Sequence, residues 1–385
     1  TGRYNINVYI VKDNYRSSLI GSSNFNVAEF LPDRMKIAAK LSSNYKLGWV
    51  NPDDLSATVT LSNLYGTPAA NHRISGKITL APQSVSFNEF KNYIFMDPLF
   101  DAKSPPKVFN DTLADVTTND KGQATLNLKL DRFDKATYQL TLLAEGFEPE
   151  GGRSVTTQVK ALVSPLHYLV GFKAIDNLNY VKENATQTVN LIAIDPTLKQ
   201  IALDRLQVKL YKLQPVTTLI KNEDGTYQYQ SLIQTNLVQT QPLTIAATGT
   251  EYTLPTDKVG DYEVAVVDEN GLELSKFKYD VVGNSEQALP KNAELNVKLN
   301  KAQYAPGEDI EIQVTAPYSG NGLITIERDK VYSYQWFKAS TTTSVQKIKI
   351  PADFQGNGYV NVAFVRDINS PEIFITPLSY SVMPF

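Results

Sequence analysis

Hydrophobic and polar residues alternate with a period of two along most of the chain. Clear examples are Leu126-Leu128-Leu130, Leu206-Val208-Leu210, Ile310-Ile312-Val314 and Val360-Val362-Phe364. A strand with one buried face and one solvated face has this pattern, so it predicts half-buried antiparallel strands. Turn sequences such as Asp224-Gly225 lie between these segments and suit two-residue hairpins. The pattern therefore predicts an all-β chain built from tandem antiparallel β-sandwiches.

One segment departs from this alternation. Ser86 and Glu89 have the spacing of a helix capping box, Phe87, Phe90 and Ile94 follow helical spacing, and Pro98 would end the helix. The alternative is an extended, aromatic-rich loop that covers the edge of a sandwich. The sequence leaves both interpretations open.

A tyrosine that opens a β-hairpin recurs at domain-sized intervals. It stands at Tyr4, Tyr138, Tyr262 and Tyr359, and a turn and a second alternating strand follow each time. A second pattern, an aromatic residue, a proline turn and an acidic residue before a strand, begins the units. We therefore expect a hairpin of a preceding domain at residues 1–31 and three sandwiches at 32–164, 165–285 and 286–385, with junctions at Pro32, Pro165 and Pro290.

Composition excludes several classes of protein. The 385 residues carry a net charge of −3, without the basic blocks that nucleic-acid binding requires. The absence of Cys excludes disulfides, thiol nucleophiles and Cys-bound zinc within the chain. No apolar run is long enough to span a bilayer. The chain has neither an initiator Met nor a signal peptide, and we interpret it as a piece of a longer polypeptide.

Candidate chemical groups are few. His72 and His167 are the two histidines, and no nucleophile or phosphate-binding motif accompanies them. The acidic pairs Asp53-Asp54 and Glu308-Asp309 have the residue types of calcium ligands, but acidic turn residues that cap a strand explain them better. We therefore predict no catalytic, cofactor-binding or metal-binding residue, and a chain that is not an enzyme.

The segment Tyr332-Ser-Tyr334-Gln-Trp336-Phe337 is the strongest candidate for a binding face. Alternation would place Tyr332, Tyr334 and Trp336 on one side of a strand, where they would contact a sugar or a protein. Strand aromatics more often fill sandwich cores or domain seams, and we favour that interpretation.

Three stretches resemble the bacterial alpha-2-macroglobulins. They are Gly21-Ser-Ser-Asn-Phe-Asn-Val-Ala-Glu-Phe30-Leu-Pro-Asp-Arg-Met35, Ser164-Pro-Leu-His-Tyr168-Leu-Val-Gly171-Phe-Lys-Ala, and Tyr304-Ala-Pro-Gly-Glu-Asp-Ile310 with its continuation to Asp329. The resemblance runs along nearly the whole chain, and the last stretch is similar to the part that leads into the bait-region domain. It implies tandem macroglobulin-like sandwiches.

The resemblance also implies a function for the longer polypeptide. Members are periplasmic, often lipid-anchored to the inner membrane, and trap an endopeptidase after it cleaves their bait region. Some members carry a Cys-x-Glu-Gln thioester, which this Cys-free chain does not contain. The expected partners are proteases and neighbouring macroglobulin-like domains, with no cofactor, and with membrane contact only through an anchor outside these residues. The alternative is a sandwich array of a cell-surface adhesin or carbohydrate-binding protein.

Overall fold

The structure is a computed structural model that describes residues 2–12, 15–27, 34–42, 48–100, 105, 107–133, 136–149, 153–221, 227–287, 294–370 and 376–385. The junction residues Pro32 and Pro290, the Asp224-Gly225 turn and most of the loop at Lys103-Ser-Pro-Pro106 lie outside these ranges. The described residues are all-β, as the alternation predicted, and their strands pair almost entirely antiparallel.

Two long strands at the start of the chain form a separate sheet. Strand β1 (Gly2–Lys12) pairs antiparallel with β2 (Tyr15–Val27), and the rings of Tyr4 and Phe25 stack with centroids 5.7 Å apart. Nearly all of its described side chains are exposed. A lone hairpin is marginally stable in water, so this one is expected to pack against a further domain.

The first sandwich packs a three-stranded sheet on a five-stranded sheet. One has the order β3-β4-β9, and the other has the order β11-β10-β5-β7 with β8 beside β5. The core between them includes Leu61, Ile74, Leu126, Leu140 and Leu142, all buried. The strands in this part of the chain are β3 (Met35–Leu41), β4 (Ser56–Asn63), β5 (Arg73–Pro82), β6 (Ile94–Phe95), β7 (Phe109–Thr112), β8 (Val116–Thr117), β9 (Gln123–Asn127), β10 (Tyr138–Phe147) and β11 (Ser154–Val163), with 3-10 turns at Pro52–Asp54, Asn88–Phe90 and Leu130–Arg132.

The second sandwich contains two five-stranded sheets. Their orders are β15-β14-β12-β6, with β18 beside β14, and β13-β20-β19-β16-β17, in which β13 pairs parallel with β20. The strands are β12 (Leu169–Ala174), β13 (Val181–Lys182), β14 (Thr188–Ile194), β15 (Gln200–Ile201), β16 (Leu203–Lys221), β17 (Tyr227–Ile245), β18 (Thr250–Thr253), β19 (Gly260–Val267) and β20 (Glu273–Val282). Alternation had predicted the inward residues Leu206, Val208 and Leu210, which are buried.

A ribbon extends from this sandwich. Strand β16 pairs with β19 only over Gln207–Leu213, but it continues along β17 as far as Lys221, which lies opposite Tyr227. The eight-residue extension, residues 214–221 with the facing part of β17, is about 27 Å long at 3.4 Å per residue. We call it the distal ribbon.

The third sandwich packs the sheet β21-β22-β25 against the sheet β24-β23-β26-β27. Ile312, Ile324, Val362 and Phe364 lie in the core between them. The strands are β21 (Asn296–Leu299), β22 (Asp309–Thr315), β23 (Gly320–Glu327), β24 (Val331–Ala339), β25 (Thr343–Lys349), β26 (Tyr359–Arg366) and β27 (Leu378–Pro384).

The repeated tyrosines lie in corresponding hairpins: β1–β2, β10–β11, β19–β20 and β26–β27. In the three sandwiches the tyrosine strand lies between its hairpin partner and one further strand. Tyr138 and Tyr262 are buried, but Tyr359 is exposed because its neighbour Val360 faces the core. After Tyr359, alternation places the second strand of the hairpin at residues 373–375, which lie outside the described residues. The strand that pairs with β26 is β27, which begins at Leu378.

The segment with helical spacing is not an α-helix. Its only helical part is the 3-10 turn Asn88–Phe90, whose N-cap Phe87 has no side-chain capping bond. The segment is extended because its side chains Phe87 and Phe95 are buried in an apolar cluster with residues of the second sandwich. Of the two interpretations, the extended aromatic loop is the correct one, and the edge that it covers belongs to the second sandwich.

Candidate functional site

The structure places the two histidines in different surroundings. His72 is half-buried, and its Nδ1 lies 2.7 Å from the carbonyl oxygen of Ala70 in a turn of the first sandwich. His167 is exposed beside the predicted junction at Pro165. Within the described ranges, no three His, Asp or Glu side chains are grouped so as to hold a metal ion.

The acidic pairs serve as local turn residues where their side chains are described. Asp53 is exposed in a 3-10 turn, and its backbone N–H donates to Asn51 Oδ1 at 3.0 Å. Glu308 pairs with Lys301 and accepts the Ala305 N–H at 2.8 Å. The bond from Lys301, with that backbone bond, lowers the pKa of the Glu308 carboxyl below its usual value. These contacts fit the strand-capping interpretation.

The aromatic segment on β24 is divided between two environments. A bulge between Ile326 and Glu327 in the pairing of β23 with β24 turns Tyr332 inward, where its ring meets Phe354 at 4.8 Å. Phe337 also packs on the core, whereas Tyr334 and Trp336 are each 66% exposed. Period-two extrapolation was therefore wrong for Tyr332, because the bulge shifts the alternation by one residue.

Neighbouring sandwiches contact one another at two places. We call the contact between the first and second sandwiches the first joint, and that between the second and third the second joint. The two joints differ in chemistry.

The first joint is apolar, and strand β6 of the first sandwich pairs within a sheet of the second. Its cluster combines residues from both sandwiches and is separate from their own cores: Trp49, Val85, Phe87, Phe95, Leu169, Ile192, Ile194 and Leu198. Trp49 is 1% exposed, and its Nε1 donates to the carbonyl oxygen of Leu166 at 2.6 Å. Re-exposing each large apolar side chain would cost about 1.5–3 kcal/mol, so separation of these two sandwiches is strongly opposed.

Backbone pairing and close approach add to the first joint. The loop of the first sandwich donates β6 to the second, with Phe95 opposite Gly171 on β12. A Cβ on Gly171 would lie 2.6 Å from the Phe95 ring, and a Cβ on Gly48 would lie 1.9 Å from the Pro196 oxygen. Glycine is therefore required at both positions for the sandwiches to fit this closely.

The second joint is polar. Lys298 on β21 forms an ion pair with Asp280 on β20 at 2.7 Å and approaches Asp261 at 3.6 Å. Lys182 reaches Glu311 on β22 at 2.9 Å, and the Tyr180 hydroxyl donates weakly to the same carboxylate at 3.4 Å. Among the described residues, no buried apolar cluster spans these two sandwiches.

Uncharged hydrogen bonds continue the second joint along the chain that leaves β20. The Gly283 N–H donates to Gln313 Oε1 at 3.2 Å, and Gln313 Nε2 donates back to the Gly283 oxygen at 3.3 Å. Thr343 Oγ1 donates to the same oxygen at 2.9 Å, and Ser285 forms a β-bridge with Thr343. Each of these uncharged bonds has a net worth of about 0.5–1.5 kcal/mol, because water competes for the same donors and acceptors once they are exposed.

Burial and charge shift the ionisation of the second joint. Burial raises the pKa of Asp280 above its ordinary value, although Lys298 acts in the opposite direction. Burial lowers the pKa of Lys298, but the attraction of Asp261 and Asp280 outweighs it, so the net shift is upward. Lys298 therefore stays charged through the neutral range, held between two carboxylates.

Three family models match successive parts of the chain. They are the bacterial alpha-2-macroglobulin MG5 domain over residues 33–165, bacterial macroglobulin domain 6 over 171–283, and the alpha-2-macroglobulin bait region domain over 295–384. An alpha-2-macroglobulin homolog of Yersinia pestis is 46% identical over the whole chain, and an alpha-2-macroglobulin of Rickettsia conorii is 40% identical. The chain belongs to the bacterial alpha-2-macroglobulin family. The resemblance found in the sequence is thereby confirmed.

This macroglobulin chain spans about a fifth of the length of the curated relatives it matches, 19% and 20% respectively. Among solved structures, the native conformation of Escherichia coli alpha-2-macroglobulin aligns with 96% of the chain and 24% of its own length, at 20% identity and a TM-score of 0.43. The described part of the macroglobulin chain contains no helix with the length and hydropathy of a membrane span.

Sequence reasoning missed both joints. In the first, the two-residue strand β6 is too short to show a period, and its contact with β12 crosses a predicted domain boundary. In the second, Lys298 and Asp280 lie on strands of different sandwiches. Trp49 is the aromatic residue of the pattern that precedes Pro52 and Asp53, and its being one of only two tryptophans is a signal that could have drawn attention to it.

Proposed function

We propose that this chain is a structural section of a macroglobulin that inhibits proteases by conformational trapping after its bait region is cleaved. The observation that carries the proposal is the match of the third sandwich to the bait region domain, joined directly to two sandwiches that match macroglobulin domains. Under this proposal the chain is not an enzyme, and its contribution is mechanical.

The joints support a specific division of roles. The first and second sandwiches act as one rigid body, because an apolar cluster and a shared strand hold them together. The third sandwich rotates against this body at the second joint, where polar contacts exchange with water at low net cost. Bait cleavage is thereby converted into a change of domain arrangement, without refolding of any sandwich.

Location and partners follow from the same proposal. The longer polypeptide is expected in the periplasm, associated with the inner membrane through a lipid anchor outside residues 1–385. Its partners are endopeptidases and the neighbouring macroglobulin-like domains, and these residues require no cofactor.

Limited proteolysis tests the proposal. The full-length protein and residues 1–385 alone are digested with several endopeptidases, the first cuts are mapped by mass spectrometry, and residual protease activity is assayed. We expect the full-length protein to be cut first outside residues 1–385 and then to retain the protease. Residues 1–385 alone should not inhibit, and should be cut quickly only at loops such as Lys103-Ser-Pro-Pro106.

Two results would contradict the proposal. Fast primary cleavage inside one of the sandwiches, coupled to retention of the protease, would mean that the bait lies within residues 1–385. Failure of the cleaved full-length protein to retain any protease would favour the alternative, a sandwich array for adhesion or carbohydrate binding.

A further inference from the structure

The sheet β24-β23-β26-β27 has an outward face that is unusually apolar. We call it the outer face, and its strongly exposed apolar residues are Tyr334, Trp336, Tyr359, Val365, Leu378, Tyr380 and Val382. An antiparallel sheet that packs on a core with one face commonly presents polar residues to water on the other. The outer face departs from this rule.

The register shows that these side chains are neighbours. One row across the four strands runs Trp336, Leu323, Ala363 and Tyr380, because each residue pairs with the next. The adjacent row runs Tyr334, Thr325, Asn361 and Val382. Trp336 is 66% exposed and Tyr380 is 77% exposed, so the two ends of the first row are both open to solvent.

The first sandwich supplies a comparison within the same chain. On the outward side of β10 and its neighbours, Thr141 lies between Thr79 and Lys160, and Glu145 lies opposite Thr156. That face is mainly polar, as expected for a solvated sheet, although Leu143 on β10 is 40% exposed. The outer face is therefore much more apolar than the corresponding outward face of the first sandwich.

Area and charge indicate the kind of surface that it meets. Its four aromatic residues alone expose roughly 500–700 Å², as large as the largest apolar patch on a typical monomer. Its charged residues, Glu327 and Lys338, have opposite signs and lie near its two ends. A near-neutral, apolar face is typical of permanent interfaces, because transient ones carry more polar groups.

We propose that the outer face is a docking surface for a neighbouring domain of the same polypeptide, outside residues 1–385, which presents an apolar and nearly uncharged face of its own. The length of the relatives indicates this occupant. The matched relatives are about five times as long as this chain, so most of such a polypeptide lies outside these residues and is available to contact them. A sugar is disfavoured because aliphatic side chains, Val365, Leu378 and Val382, surround the rings where hydrogen-bonding groups would be needed. The inference requires the chain to be part of a longer protein, but it does not require protease trapping.

Single cysteines test the proposal, since residues 1–385 contain no native Cys. Tyr380→Cys places a thiol on the outer face, and Asp353→Cys places one at an exposed site of the same sandwich as a matched control. Reaction with a maleimide is followed in the full-length protein and in residues 1–385 alone, and peptide mapping separates these thiols from any elsewhere. In the full-length protein we expect Tyr380→Cys to react roughly tenfold or more slowly than Asp353→Cys, because the site is reached only when the domains separate. In residues 1–385 alone, the two should react at similar rates.

The result that overturns the proposal is equal reactivity of the two cysteines in the full-length protein. Protection of Tyr380→Cys that rises with the concentration of residues 1–385 would assign the face to a second copy instead, and protection by soluble oligosaccharides would assign it to a sugar. A photo-crosslinker attached at the Tyr380→Cys thiol identifies the occupant, which should be a peptide of the same molecule from outside residues 1–385. None of these measurements uses a protease, so failure of the trapping function leaves them interpretable.

Discussion

Replacing Trp49 with alanine should weaken the second sandwich although Trp49 belongs to the first. The side chain is 1% exposed and lies in the cluster that both sandwiches share. Truncation of a buried Trp costs about 3–5 kcal/mol, since it leaves a cavity in addition to the lost burial. About 0.5–1.5 kcal/mol of that is the hydrogen bond from the indole to the Leu166 oxygen. Because the remaining loss of free energy comes from packing against residues of both sandwiches, most of it should appear as uncoupling of the two sandwiches.

Hydrogen exchange measured by mass spectrometry separates the two effects. In the Trp49→Ala variant, the free energy of opening should fall for amides in β12 and β14 as well as in β4. The control is Leu140→Ala, at a position that is fully buried within the first core, where about 2–5 kcal/mol should be lost mainly from the first sandwich. Trp49→Phe should fall between wild type and Trp49→Ala, because it keeps most of the packing and removes the hydrogen bond.

The reasoning would be refuted if Trp49→Ala left the protection of β12 and β14 within about 0.5 kcal/mol of wild type, the spread expected of independent sites. The first joint would then be a contact without energetic coupling, and the proposed rigid pair would be wrong.

Three further predictions concern the same features. Gly171→Ala should destabilise the first joint, since its Cβ would lie 2.6 Å from the Phe95 ring. Thermal unfolding should show a lower Tm, and the loss caused by Gly171→Ala should be smaller in a Phe95→Ala background than in the wild type, because the ring that it meets is gone. Lys298→Met should abolish an alkaline weakening of the second joint. Charged Lys298 has a raised pKa in the joint, so its stabilisation is fully present below about pH 10.5 and is lost as pH rises through the folded-state pKa. Crosslinking across the joint should therefore fall at high pH only when Lys298 is present. Replacing residues 216–232 of the distal ribbon by Asn-Gly should change the Tm of the second sandwich little, because β16 no longer pairs with β19 after Leu213. A large loss of Tm would show that the ribbon contributes to the core.

The fold class was predictable because each sandwich strand repeats the same physical requirement. Every second residue must enter a core, so Val208 and Leu210 are apolar where Lys209 between them is not. The proposed limits at 32–164, 165–285 and 286–385 stay a prediction, although they rest on the same alternation and on its interruption by proline turns.

The joints were not predictable because they depend on pairing between distant residues. Nothing near Phe95 indicates that its strand will lie beside Gly171, since two residues of strand show no period. The inward turn of Tyr332 was missed for a related reason: a bulge depends on how two strands align, and the spacing within one strand does not reveal it.

The donated strand β6 has a consequence for how this protein can be divided. A piece that begins at the predicted boundary, Ser164-Pro165, would contain all of β12 but would lack the residues that pair with its outer edge. Its uncovered N–H and C=O groups, at a strand whose residues Leu169 to Phe172 are all buried in the intact chain, would offer a template for pairing with other molecules. We therefore expect the second sandwich to associate with itself when it is produced without β6, and the two sandwiches to be best expressed together.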